Sequence, residues 1–310
     1  MPTSRGWSIG GPLLVALLLA AAVEARAALM LTPPPYRPKD FTLLKKDGQF
    51  HLFYIRHDTS LPDDQTEKDF GHATSYDLYA WTQQPPVLPV VGTGWDNFHV
   101  WSPSIVLLDG VYYMFYTGVT QYPGIAATQQ RIGVATSTDL MTWNRLDTPI
   151  YACSDVPWAW CDTLNPNNGF RDPFIMPDPS AAGHWLMYYT TFPLADTAGM
   201  IIGVGSSAGD LTQWSDLKPL WATNEQYSFN AVLESPHLFQ HGDLWFLFAT
   251  TNAGQPISFW ITRDPTGDPP AWNYRGRLAS MIGIDTRSWY ASEHLLDGTH
   301  DIFGFVNYNR

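Results

Sequence analysis

Apolar residues along the chain come in short runs bounded by Gly, Pro, Asp and Asn, with few stretches at helical spacing. That pattern predicts strands and hairpins almost throughout. The runs also recur. A segment opening at Asp40 turns at Asp47-Gly48 and returns as the apolar run 50–54. One opening at Ser102 turns at Asp109-Gly110 and returns as 112–116. One opening at Asp172 turns at Asp178-Pro179 and returns as 185–189. Glu234 opens a segment that turns at His241-Gly242 before 244–248, and Tyr290 one that turns at Asp297-Gly298 before 301–305. Asp-Gly suits the positive φ of two-residue hairpin turns, so each segment is expected to be a hairpin.

A second phrase follows the first. Gly71 leads through Ser75, Asp77 and Leu78 to Trp81, Gly133 through Ser137, Asp139 and Leu140 to Trp143, and Gly203 through Asp210 and Leu211 to Trp214. A looser copy, 257–262, ends at Trp272. The period is about 55 to 70 residues, long enough for two hairpins and so four strands per unit. Five such units predict an all-β chain folded as a five-bladed β-propeller with four-stranded blades. The fifth unit has one hairpin before Arg310, so the fifth blade is expected to be short or incomplete, or to borrow an N-terminal strand.

Counted back from the turns, Asp40, Asp172 and Glu234 take one position in three of the units, with Ser102 and Tyr290 at that place in the other two. In a propeller the first strand of each blade lines the central channel, so these acids are expected to converge. Any one of them alone reads equally well as a strand-opening residue bonded to backbone N–H groups. Three in phase suit glycoside hydrolysis, in which one carboxyl stays protonated to donate to the leaving oxygen and another, ionised, activates water or attacks the sugar. A third charge nearby tunes the acid.

Composition narrows the partners. The formal net charge is −12 with no basic run, which argues against binding nucleic acid through its phosphates. At the N-terminus, Arg5, an apolar run over 12–23 and Ala25-Arg26-Ala27 have the form of a signal peptide over residues 1–27. The run is short for a membrane anchor. The expected product is therefore a secreted or periplasmic protein with one domain over 28–310 and no membrane association after cleavage. In an exported chain the pair Cys153 and Cys161 can staple a local loop, against the alternative of two free thiols.

Four stretches carry a resemblance: Phe170-Arg171-Asp172-Pro173, Glu234-Ser235-Pro236, Trp101-Ser102-Pro103-Ser104, and Phe70-Gly71-His72-Ala73-Thr74-Ser75 with Asp77-Leu78 and Trp81. In order and spacing the chain resembles the five-bladed β-propeller glycoside hydrolases related to families 32, 43 and 68. The resemblance implies that Asp40 is nucleophile or general base, that Asp172 stabilises the transition state or tunes the acid, that Glu234 is the general acid, and that Arg171 bonds substrate hydroxyls. It departs from the family at Lys39-Asp40-Phe41, which lacks the Asn-Asp-Pro-Asn-Gly of invertase-like fructosidases, and at Glu234, followed by Ser rather than Gly or Cys. Where some relatives have a metal-binding His, Tyr290 and Ala291 stand, so no metal and no cofactor is implied.

Of the fourteen tryptophans, Trp81, Trp143 and Trp214 recur in phase and are expected to be structural. Trp101, one residue before Ser102, is the candidate for stacking on a sugar ring. Trp95, Trp158 and Trp160 are candidates for a cleft wall, and His72 is expected to be structural. The long loop 152–169 is either a channel rim or a stapled surface insertion. The function expected is an exported glycoside hydrolase acting on a carbohydrate with a furanoside or related sugar at the reacting position. A non-catalytic carbohydrate-binding propeller is the alternative, favoured by the unusual surroundings of Asp40. A transferase or phosphorylase is the third reading, and a phosphorylase should show a basic cluster that the sequence lacks.

Overall fold

The computed structural model describes residues 31, 35–122, 128–162, 169–194, 199–220, 232–251, 257–267, 271–278 and 289–307. The expected signal peptide lies outside the described residues. Four antiparallel sheets of four strands follow in chain order. They are β1(Tyr36–Lys46) to β4(Thr82–Val87), β5(His99–Leu108) to β8(Asn144–Arg145), β9(Phe170–Pro177) to β12(Ser215–Pro219), and β13(Leu233–His241) to β16(Asn273–Arg277). Within them lie β2(Gln49–Asp58), β3(Phe70–Ser75), β6(Val111–Gln121), β7(Thr128–Ser137), β10(Trp185–Thr191), β11(Ile201–Ser207), β14(Leu244–Thr251) and β15(Ile257–Thr262). β17(Trp289–Asp297) and β18(His300–Asn307) form a fifth, two-stranded sheet among the described residues.

The first strands close a ring: β1 packs on β5, β5 on β9, β9 on β13, β13 on β17, and β17 back on β1. This is the expected propeller, with one hairpin of the fifth blade among the described residues. Its core lies between the blades, as it must when each sheet is apolar on both faces. Phe53 and Phe70 of the first blade pack with Met114 and Tyr116 of the second. Leu186, Tyr188 and Val204 of the third meet Leu238, Leu247 and Trp260 of the fourth. The seam between the fifth and first blades is thin: Tyr290, Ala291 and Val306 against Phe41.

The recurring second phrase is a structural staple. Ser75 Oγ accepts from the Leu78 N–H at 2.9 Å, Asp77 accepts from the N–H groups of Tyr79 and Ala80, and the Trp81 indole N–H donates to Leu78 O at 3.0 Å. Ser137, Asp139, Leu140 and Trp143 repeat the arrangement, and Trp214 donates to Leu211 O at 2.9 Å. The glycine opening each copy makes room for an aromatic ring. A Cβ on Gly71 would sit 2.3 Å from the Tyr54 ring, one on Gly133 2.4 Å from Trp95, and one on Gly203 2.5 Å from Tyr189.

Three expectations about side chains are now decided. His72 is fully buried, 3.0 Å from His51 Nδ1 and stacked on Phe53, which is a structural role. Trp95 packs over Gly118 and Gly133 and stacks on Tyr116, inside a blade rather than on a cleft wall. Trp158 donates to Asp216 and stacks on Tyr189, and the backbone of Trp160 bonds Phe192 O. Cys153 and Cys161 are joined as a disulfide, and the loop around them is tied to the third blade.

Candidate active site

Each inner strand is interrupted once, near its start, by a register shift against its partner: at 38–41, 101–104, between Arg171 and Phe174, at 234–237 and at 290–292. At this kink Ser102, Asp172, Ser235 and Ala291 have φ of 48°, 59°, 50° and 47°. Positive φ is uncommon for residues with a Cβ, and a bulge of this kind re-aims a side chain. Here the re-aimed side chains meet in the channel.

Counting from the turns in the structure corrects the phase inferred from sequence. The first two hairpins turn at Asp47-Gly48 and Asp109-Gly110, with both residues at positive φ. In the fourth, His241 pairs with Leu244, and in the fifth Asp297 pairs with His300, so the turns are Gly242-Asp243 and Gly298-Thr299, one residue later than expected. Seven residues before the turn stand Asp40, Ser102, Ser235 and Ala291; the third strand is one residue shorter, to Pro177, and Asp172 joins Ser102, Ser235 and Ala291 through its positive φ at the kink rather than by the count. Glu234 does not share the position of Asp40 and Asp172. It belongs one residue earlier, with Lys39, Trp101, Arg171 and Tyr290. The site has two tiers, and the carboxylates are divided between them.

In the channel tier, Ser102 Oγ lies 2.8 Å from Asp40 Oδ2 and 2.7 Å from Asp172 Oδ1. Ser235 donates its hydroxyl to Asp40 Oδ1 at 2.7 Å and its backbone N–H to Asp172 Oδ2 at 3.0 Å. The Asp40 N–H donates to the Tyr290 hydroxyl at 3.1 Å, and the Asp172 N–H to Thr117 Oγ1 at 3.0 Å. Burial, reinforced by the charge of Asp172, pushes the Asp40 carboxyl up to about 7 against the hydrogen bond from Ser235.

In the second tier, Arg171 donates to Glu234 Oε1 at 2.8 Å and to Gln130 Oε1 at 3.3 Å, with its Nε 3.5 Å from Asp172 Oδ2. Arg171 thus spans two acids. Burial raises the Glu234 carboxyl above its ordinary value, and the Arg171 charge works against that rise.

Two acids of this neighbourhood are absent from the sequence-based set. Glu67, in the connection between β2 and β3, accepts from the Trp101 indole N–H at 2.6 Å, is paired with Lys39, and lies 2.8 Å from His57 Nδ1. Burial alone would raise its carboxyl, but the Lys39 charge and hydrogen bonds from Lys39 and His57 outweigh it and hold it below the usual value. Trp101 is fixed at its nitrogen by Glu67 and stacks on His99. Glu293, on β17, lies 3.4 Å from His237 Nδ1, and burial followed by the charge of Asp40 drives its carboxyl well up. Asp40, Asp172, Phe174 and Glu293 help line a cavity of about 30 Å³, enough for bound water. No group of three or more His, Cys, Asp or Glu among the described residues is placed to hold a metal ion.

Comparison with known proteins places this geometry. The model of the glycosyl hydrolases family 32 N-terminal domain matches residues 40–241, from the first channel acid to the end of β13. The chain belongs to that family. It is a glycosidase by that membership, and its fold is shared with solved glycosidases. The Bombyx mori GH32 beta-fructofuranosidase BmSUC1 is 17% identical with a TM-score of 0.66, over 94% of this chain and 61% of that one. The endo-arabinase from Bacteroides thetaiotaomicron is 14% identical with a TM-score of 0.66, over 91% and 94%. The GH43_1 enzyme from Xanthomonas citri, solved with xylotriose, is 16% identical with a TM-score of 0.62, over 92% and 86%. No curated protein matches the chain. For this family 32 glycosidase, the inner strands contribute differently: one, three and four bring Asp40, Asp172 and Glu234, two and four bring the serines that tie the channel acids together, and five brings Tyr290 and Glu293.

Proposed function

We propose that the protein is exported and hydrolyses an oligo- or polysaccharide with a furanoside or related sugar at the reacting position. In this reading Glu234 is the general acid, Asp40 the nucleophile or general base, and Asp172 the third, supporting acid. The observation that carries it is the bridge from Glu234 through Arg171 to Asp172 and from there through Ser102 to Asp40, which brings three carboxyl groups from three blades to one channel mouth.

The environments of the acids favour this division of labour. Glu234 is buried enough to hold its proton longer than an ordinary carboxyl, as a donor to the leaving oxygen must. Asp172 accepts from a backbone N–H and lies beside Arg171, which supports its charge. Trp101, fixed at its nitrogen by Glu67, offers an aromatic face for a sugar ring. The two cations beside the acids, Lys39 and Arg171, are each engaged by an acid of the site, which leaves a phosphorylase little to hold phosphate with.

The test is hydrolysis of a panel of aryl arabinofuranosides, xylosides, galactosides and fructans by the parent, Glu234→Gln and Asp40→Asn. Turnover of one substrate, lost in both variants with folding intact, is expected. Unchanged turnover in either variant would remove that residue from the mechanism.

A further inference from the structure

The hydroxyl of Ser102 has one proton and two acidic neighbours. Its oxygen is 2.8 Å from Asp40 Oδ2 and 2.7 Å from Asp172 Oδ1. Both separations are those of well-formed O–H···O hydrogen bonds. One O–H satisfies one of them. The other needs a proton from a carboxyl group, because two lone-pair-bearing oxygens at that distance repel.

We propose that Asp40, Ser102 and Asp172 are one proton-sharing unit, in which the Ser102 hydroxyl holds a single proton between the two carboxyl groups and positions it for the reaction. The surroundings decide where the proton rests. Asp172 Oδ2 accepts the Ser235 N–H and faces Arg171, whereas Asp40 accepts the Ser235 hydroxyl at Oδ1 and has Oδ2 turned to Ser102. The proton therefore sits on Asp40 Oδ2 and is donated to Ser102 Oγ, which donates its own to Asp172 Oδ1. Burial and the charge of Asp172 favour a proton on Asp40 independently of the Ser102 contact.

The remaining ionisable groups around the pair have contacts of their own. Arg171 is committed to Glu234 and Gln130. Lys39, next to Asp40, is held by Glu67. From β17, the Tyr290 oxygen accepts the Asp40 N–H, and Glu293 is near His237.

The consequence for catalysis rests on the role proposed above for Asp40. When Asp40 must be ionised, its Oδ2–H bond breaks and that proton passes to Ser102 Oγ, while the Ser102 proton passes to Asp172 Oδ1. Asp40 becomes a carboxylate and Asp172 a neutral acid, with no change in net charge and no proton released to solvent. Ser102 is thus a positioning residue.

Carboxyl ¹³C NMR of the aspartate-labelled full chain tests this without substrate, so its failure is distinct from failure of the hydrolase roles. The aspartate signals removed by Asp40→Asn should titrate in two coupled steps, the upper near neutral. Ser102→Gly deletes the hydroxyl at a position whose φ of 48° suits glycine. It should lower the upper step by about one to two pH units, the worth of one hydrogen bond to a charged group. Ser235→Gly is the like-for-like control: it removes a hydroxyl that only favours ionised Asp40, and should raise the step. Should Ser102→Gly fail to fold, Asp172→Asn must collapse the two steps into a single lower one. An upper step that is unmoved or raised in Ser102→Gly, no aspartate titrating above pH 5 in the parent, or two steps persisting in Asp172→Asn would each overturn the proposal.

Discussion

Replacing Asp40 by Asn should abolish activity and yet make the protein more stable at alkaline pH. Asn is nearly isosteric with a protonated Asp. Its Oδ1 can accept from Ser235, and its amide can donate to Ser102, the direction proposed above for the protonated carboxyl. The Asp40 carboxyl is raised from 3.8 to about 7, first by burial and then by the charge of Asp172. Because its folded value is the higher one, the native state binds the extra proton between those two pH values. The stability this contributes is full below pH 3.8 and is lost as pH rises to 7 and beyond. Three pH units at about 1.4 kcal/mol each make the ionised Asp40 cost on the order of 4 kcal/mol at pH 8, a large share of the 5–15 kcal/mol typical of a domain.

Asn carries none of that cost. Urea denaturation of the two proteins at pH 8 and pH 4.5 should show Asp40→Asn more stable than the parent by a few kcal/mol at pH 8. The gap should shrink steeply toward pH 4.5. Turnover should fall about 10²- to 10⁴-fold at every pH, as for loss of a general base. A variant less stable than the parent by the same amount at both pH values would refute the reasoning, because the site would then not be straining an ionised Asp40.

Other perturbations have equally definite outcomes. Glu67→Gln removes the charge facing Lys39 and His57 and should lower kcat/KM about tenfold, mostly through KM, as Trp101 and Lys39 lose their common anchor; an unchanged KM would count against that anchoring. Burial lowers His72 to about 3, so stability is full above pH 6.5 and falls by about 1.4 kcal/mol per pH unit below it. In His72→Phe, the loss of stability between pH 7.5 and pH 5 should be about 2 kcal/mol smaller than in the parent, and an equal loss would place His72 outside the acid response. The Cys153→Ser, Cys161→Ser double variant opens a short loop and should cost about 2–3 kcal/mol in urea unfolding on the chain-entropy estimate, with turnover nearly unchanged because the loop ties to Phe192 and Pro193 rather than to the acids.

The propeller was legible because its local chemistry repeats. Turn residues, the Ser-Asp-Leu-Trp staple and the ring-accommodating glycines recur at one period, and each enforces the same local geometry wherever it falls. Asp40, Asp172, Glu234 and Arg171 were likewise found as a set, and the structure brings them together. The tier of Glu234 was misread because His241-Gly242-Asp243 offers two adjacent turn readings, and in a hairpin a single residue of slip changes which position faces the channel. Glu67 and Glu293 were missed for a different reason. Neither lies in a repeated phrase: one comes from the connection after β2 and the other from late in β17, and both reach the site through tertiary packing. The tryptophans named as a cleft wall carried no local sign that would separate a packed indole from an exposed one.

The kink at the start of each inner strand explains how one repeated blade yields an asymmetric site. Four blades hold a non-glycine residue there at φ between 47° and 59°, a conformation that costs of order 1 kcal/mol or more and persists only where its surroundings over-determine it. In three of them proline follows, at Pro103, Pro173 and Pro236, which removes an N–H that the interrupted ladder could not have paired. Asp40 stands apart. Phe41 follows it instead of proline, and it is not among the positive-φ residues; its N–H is used, donated to Tyr290 across the seam with the fifth blade. The departure from the family pattern at Lys39-Asp40-Phe41 therefore has a structural counterpart. The first blade exchanges a proline kink for a hydrogen bond to the fifth, so the placement of Asp40 depends on the fifth blade holding Tyr290 in place. Tyr290→Phe, which removes the acceptor while leaving the ring, should then lower turnover more than it lowers stability. A matching loss in both would mean that the hydroxyl supports the seam and not the acid.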